Sequence, residues 1–147
     1  MMLSRHAEDL FWVGRYMERA ENLARILDVN ETFARDVRGA NDWLPILRLH
    51  RDEESFFERY KKATSENVVR FYILDPKNSN SIRSSVQAAR ENARSIRHLI
   101  SLETWVQLNV FYNWVASITP RSLRLSELSR LCGRIKEGVQ LHSGIVT

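Results

Sequence analysis

The segment GRYMERAENLAR, residues 14–25, places Arg15, Glu18, Arg19, Glu21, Asn22 and Arg25 inside a run of helix-forming residues. On a helical wheel Glu18, Glu21, Arg25 and Asp28 share one arc, with Arg15 and Asn22 on its flank. Glu21 and Arg25 make an i,i+4 pair in the favourable order, worth about 0.2–0.5 kcal/mol when exposed. Glu18 and Glu21 are like-charged i,i+3 neighbours, so the set gains little on an isolated surface helix and makes sense opposite a partner surface. Two carboxylates do acid–base work when their surroundings push their pKa values apart, which makes Glu18 and Glu21 the catalytic candidates. The arginines offer a different chemistry, bidentate capture of a carboxylate or phosphate.

A second cluster lies in RSSVQAARENARSIRH, residues 83–98. Arg83, Gln87, Arg90, Arg94 and Arg97 line one side of a helix there, with Glu91 its one acid and Asn92 next to it. Sign complementarity predicts that the two helices lie side by side, with Glu21 of the first facing Arg90 of the second. Such pairs would orient the helices, or leave some arginines free in a groove for a carboxylate, a phosphate or a partner protein. Arg19, Arg25, Arg90 and Arg94 would then hold carboxylates, while Glu18 and Glu21 fix the orientation of the guanidinium groups. A nucleic-acid surface would need the 83–97 arginines facing one solvent side, and they can be neutralised from within; nucleic acid is disfavoured.

Metal and nucleotide chemistry lack their usual marks. His6, His50, His98 and His142 do not follow a glutamate by three positions, and no His-Glu-x-x-His occurs. Gly14 and Gly39 are isolated, so there is no phosphate-cradling loop. No metal and no cofactor are expected. Cys132 is the single cysteine, which excludes an internal disulfide and reads as packing.

The elements that must position these residues are all helical. Leu10, Val13, Met17, Ala20, Ala24 and Leu27 recur at spacings of three and four, widened by Trp12, Tyr16, Leu23 and Ile26. This predicts a long first helix, capped at Ser4, ending near Arg38 and clasped on more than one side. Residues 43–74 suggest three short helices, and DPKNSNS (75–81) reads as a linker whose Asn80 or Ser81 caps the next helix. That helix carries Ile82, Val86, Ala89, Ala93, Ile96 and Ile100. Ser101 opens another through residues 105–114, and a last one runs to about Gln140 with Leu125, Leu128, Leu131 and Ile135 in step. The four tryptophans are expected where helices bury most area. The fold class is all-α, a helical bundle with a long N-terminal helix, organised as a single domain over 1–147.

With 147 residues, 44% of them apolar, five glycines and three prolines, the chain has the make-up of one globular domain rather than a disordered one. Eighteen of its 22 basic residues are arginine against 18 acids, a net charge of +4 too modest to dictate a partner. Arg5, Glu8, Asp9 and Arg15 interrupt any apolar run at the N-terminus, which argues against a signal peptide, and no window is long enough to span a membrane. The expected location is the cytoplasm, without membrane association.

FWVGRYMERAENLARILD (11–28), DPKNSNSIRSSVQAARENARSIRHLIS (75–101) and ETWVQLN (103–109) resemble the bacterial alpha-E domain, an all-helical domain of unassigned function. In that pattern the Glu–Arg pair is Glu18–Arg19, followed by Ala20 and Glu21. ARENAR contributes Arg90, Glu91, Asn92 and Arg94; ETW…LN contributes Glu103, Trp105 and Asn109. Members of the family are about twice this long, so the resemblance implies an N-terminal half that homo-oligomerises or pairs with a separately encoded C-terminal half. Their gene neighbourhoods imply an accessory or scaffolding module for a peptide-ligating or peptide-modifying system, with an ATP-grasp-like or transglutaminase-like partner. An enzyme using Glu18 and Glu21 in a groove is the alternative.

Overall fold

In a computed structural model, residues 2–36 and 43–146 are described. Among them are seven α-helices: α1 (Met2–Asp36), α2 (Leu44–Leu49), α3 (Glu53–Phe57), α4 (Ser65–Ile73), α5 (Ile82–Ser95), α6 (Leu102–Ser117) and α7 (Leu125–Val146). No strand occurs among the described residues. None of these helices is long and apolar enough to cross a membrane.

Helix α1 is the axis of the molecule. Val13, Met17, Ala20, Leu23, Ala24 and Leu27 are buried along one stripe, and α5 and α7 pack against it. The breadth of that stripe is why two neighbours are needed. Leu10 and Trp12 fall outside it and are exposed, since the flanking helices do not cover that end of the arc. Ser4 lies within α1 rather than capping it, and the expected end near Arg38 falls outside the described residues.

Helix α5 starts where Ser81 accepts a hydrogen bond from the Ser84 amide at 3.1 Å. It buries Ile82, Val86, Ala89 and Ala93. Ser101 caps α6 in the same way, through the Thr104 amide at 3.0 Å. Helix α6 packs on α5 and α7, and α7 closes the bundle with Leu128, Cys132, Ile135 and Val139. The α7 helix passes through Gly138 and Gly144, six residues beyond the expected end at Gln140.

The three short helices form a second cluster on one flank of the α1–α5 seam. Pro45 occupies the first turn of α2, where its missing N–H costs nothing. Phe56, Tyr60 and Phe71 pack ring against ring beneath α4. The 75–81 segment is pinned there. The buried Asp75 carboxylate accepts from Arg59, from the Tyr60 hydroxyl at 3.1 Å and from the Lys77 amide at 3.0 Å. Asn78 donates to the Phe71 carbonyl at 3.0 Å.

Of the four tryptophans only Trp43 is buried. Trp105 and Trp114 are half-buried because each lies beneath an arginine, Arg90 and Arg97 over Trp105 and Arg134 over Trp114.

Helices α6 and α7 pack closely at Gly138. A Cβ on Gly138 would overlap the Phe111 ring, whereas one on Gly133 would meet nothing. Gly138→Ala is expected to lower stability by about 1–3 kcal/mol through overpacking. Gly133→Ala should raise it by up to about 1 kcal/mol through helix propensity. Urea unfolding midpoints of the two variants, moving in opposite directions, check this.

Candidate functional site

The charged residues of α1 divide between three surfaces. Arg15, Glu18, Arg19 and Asn22, together with Leu23, form one wall of a cleft of about 340 Å³. Their spacing of three and four sets them on a single stripe. The opposite wall comes from His50 and Asp52 in the α2–α3 turn, Tyr72 of α4 and Asn80 of the 75–81 segment. Glu21 faces away, toward a groove between α1 and α7, and Arg25 borders an apolar hollow beside α2.

Each wall of the cleft is held locally. Arg19 donates to the Asn80 side-chain oxygen at 3.1 Å, and its guanidinium lies over the Tyr16 ring. Asn80, read from sequence as a possible cap, is thus an anchor for Arg19, and capping passes to Ser81. Glu18, with 64% of its side chain exposed, pairs with Arg15 at 3.4 Å. Between His50 and Asp52 stands Arg51 at φ 56°, a left-handed conformation that L side chains adopt at a cost. That reversal turns both neighbours to the cleft. The His50 Nδ1 lies 2.9 Å from the Ile46 carbonyl, so Nδ1 carries the proton and Nε2 is the ring's acceptor when neutral. The Tyr72 hydroxyl donates to Asp52 at 2.8 Å, and burial, reinforced by that carboxylate, holds its pKa far above the usual value.

The second cluster has a different fate. Helices α1 and α5 do lie side by side, but among the described residues no carboxylate–guanidinium pair joins them. Glu21 pairs with Arg25 at 3.3 Å on its own helix. Arg90 turns to α6, where Nε donates to the Asn109 oxygen at 2.7 Å and the guanidinium covers Tyr112 and Trp105. Arg90, Trp105 and Asn109 thus make a clamp between α5 and α6. Glu91 pairs with Arg90 at 3.3 Å and with the exposed Arg94 at 3.8 Å. Asn92 donates back to the Ala88 carbonyl, and Arg97 lies over Trp105. An acid of α1 that does meet a cation across a seam is Asp28, 3.5 Å from Lys136 of α7. The Glu21–Arg90 expectation fails because planar guanidinium groups find aromatic faces on α6 closer at hand.

Sequence reasoning missed His50, Asp52 and Tyr72. Only tertiary packing brings the α2–α4 flank to α1; the residues themselves carry no spacing signal. Cys132 is buried, and burial pushes its thiol up to about 12, which makes it packing rather than a nucleophile. Among the described residues no three His, Cys, Asp or Glu side chains converge as metal ligands.

A helical bundle with a polar cleft built on a Glu–Arg pair is the class this geometry defines. The chain belongs to the alpha-E family, described as a predicted alpha-helical domain with a conserved ER motif, which it matches over residues 2–147. Uncharacterized proteins of Mycobacterium bovis and Mycobacterium tuberculosis are similar to it, each 29% identical over 116 residues. Those matches cover 68% of this chain and 13% of the relatives. No solved structure matches.

Tyr72→Phe leaves Asp52 without its hydroxyl donor and is expected to cost about 1–3 kcal/mol. The raised Tyr72 pKa means that unfolding releases its proton at high pH. Its contribution is therefore complete below about pH 10, the unfolded value, and declines as pH rises beyond it. Chemical denaturation between pH 7 and 11 should show a smaller alkaline loss in Tyr72→Phe than in the parent.

Proposed function

We propose that the protein is an accessory binding module whose Arg15–Arg19 cleft captures a polar peptide segment, rather than an enzyme in its own right. The observation that carries this is the composition of the cleft: two arginines, two carboxylates, two amides, a histidine and a tyrosine, drawn from α1, the α2–α3 turn, α4 and residue 80. Arg19 is pre-oriented by Asn80 and Tyr16, so little rotamer freedom is lost when it binds a carboxylate. Arg15 and Glu18 form an exposed pair that can open toward a ligand carrying both charges, because such pairs contribute little by themselves. Asp52 and the His50 Nε2 supply acceptors for peptide N–H groups. A ligand with a terminal carboxylate and backbone amides matches this set.

The peptide-system role implied by the family resemblance, with an ATP-grasp-like or transglutaminase-like partner, is consistent with such a cleft. Arg90 of α5 and Arg97 just beyond that helix favour it over nucleic acid, since both are committed to Trp105 and its neighbours. The catalytic alternative rests on Glu18 and Glu21, which both border the α1–α7 groove. Each is engaged by an arginine of its own helix, an arrangement that suits charge balance more than proton transfer.

Titration by NMR with N-acetylated tetrapeptides bearing free or amidated C-termini tests the reading. Free-acid peptides should perturb α1 and the α2–α3 turn, and amidated ones should bind at least tenfold more weakly. Arg19→Glu should abolish the difference while leaving the circular dichroism unchanged. Equal binding of the two peptide sets, or an unaffected Arg19→Glu, would refute the cleft as a carboxylate site.

A further inference from the structure

A second site lies on the other side of α1. Leu10, Val13, Ala93, Ile96, Leu99 and Ile100 surround a largely apolar cavity of about 330 Å³ between α1, the end of α5 and α7. This volume is in the lower range of small-molecule sites, about 300–1,000 Å³. The α1–α7 groove, of about 370 Å³, adjoins it: Gly14 and His142 line both spaces. The groove is polar where the cavity is not, and its lining includes Glu18 and Glu21 but no lysine or arginine.

Two features mark the junction. Gly14 sits in the interior of a 35-residue helix, where glycine is disfavoured, yet a Cβ there would meet no atom within 4 Å. Its small size relieves no clash. His142 is 5% exposed, and its buried Nδ1 has no hydrogen-bond partner. Burial lowers its pKa, so the ring is neutral and Nδ1 lacks the partner that buried polar groups ordinarily have. An open space over a glycine, beside an unpartnered imidazole, is the shape of a binding site.

We infer that this junction binds a linear alkylammonium group, its aliphatic chain in the apolar cavity and its head near His142, Glu18 and Glu21. The chain buries against Leu10, Ile96, Leu99 and Ile100. The positive charge lies beside the Glu18 and Glu21 carboxylates and offsets the repulsion that their own arginines, Arg15 and Arg25, leave between them. A carboxylate head would meet those same charges with the wrong sign. An alcohol gains nothing from the glutamates.

Isothermal titration of the full chain with n-octylamine, 1-octanol and octanoate, each below its aggregation concentration, reads this directly. Octylamine should bind, octanol at least tenfold more weakly, and octanoate more weakly still. Glu21→Gln should bring octylamine close to octanol. Gly14→Leu, which fills the shared space, should abolish binding of both without lowering the melting temperature. Leu10→Trp blocks the cavity from an exposed position and gives the same loss by an independent route. Absence of octylamine binding, an affinity for octanol or octanoate equal to it, or full binding by both blocking variants would overturn the inference.

Discussion

The apolar stripe of α1, and the need to cover it from two sides, is the constraint on which the rest of the molecule depends. Each large aliphatic side chain taken from water along it contributes about 1.5–3 kcal/mol, whereas an exposed ion pair contributes about 0–1 kcal/mol. Met17, Leu23 and Leu27 therefore decide how α5 and α7 lie on α1, with Ala20 and Ala24 allowing close approach. Charged side chains adapt to that register. Both the cleft and the apolar cavity are places where the covering stops.

Arginine serves this protein as much for its flat face as for its charge. Arg90 and Arg97 over Trp105, Arg134 over Trp114, Arg19 over Tyr16 and Arg59 over Phe71 are the recurring pattern. In each case the guanidinium lies over an aromatic ring, and Arg19, Arg59 and Arg90 also donate to a neighbouring polar group. The pattern recurs in α1, α5, α7 and two connecting segments. It also separates Arg15 and Arg19, which border a cleft, from Arg90, which ties two helices together.

The short helices contribute position rather than bulk. Their aromatic cluster and the Asp75 network hold Asn80, Tyr72 and the His50–Asp52 turn against α1. The strained Arg51 and the hydrogen-bonded 75–81 segment show that this flank is built to a definite geometry. In this chain an α1–α5–α7 frame carries a polar wall beside it.

The all-helical class, the long α1, the caps at Ser81 and Ser101 and the three short helices after residue 42 were legible in the sequence. Helical spacing and cap chemistry are local, and a few residues express them completely. The pairing of α1 with α5 was legible too, although for the wrong reason: charge complementarity suggested it, and apolar burial brings it about. Helical spacing groups Glu18 with Glu21, Arg25 and Asp28 and leaves Arg15 and Asn22 on the flank, whereas the cleft joins Glu18 to Arg15, Arg19 and Asn22. That His50, Asp52, Tyr72 and Asn80 stand opposite them, that Glu21 faces α7, and that Gly14 and His142 leave a gap between helices was decided only by tertiary structure. Those relations join segments far apart in the chain, and nothing in the spacing of residues along one helix records which neighbour will cover it.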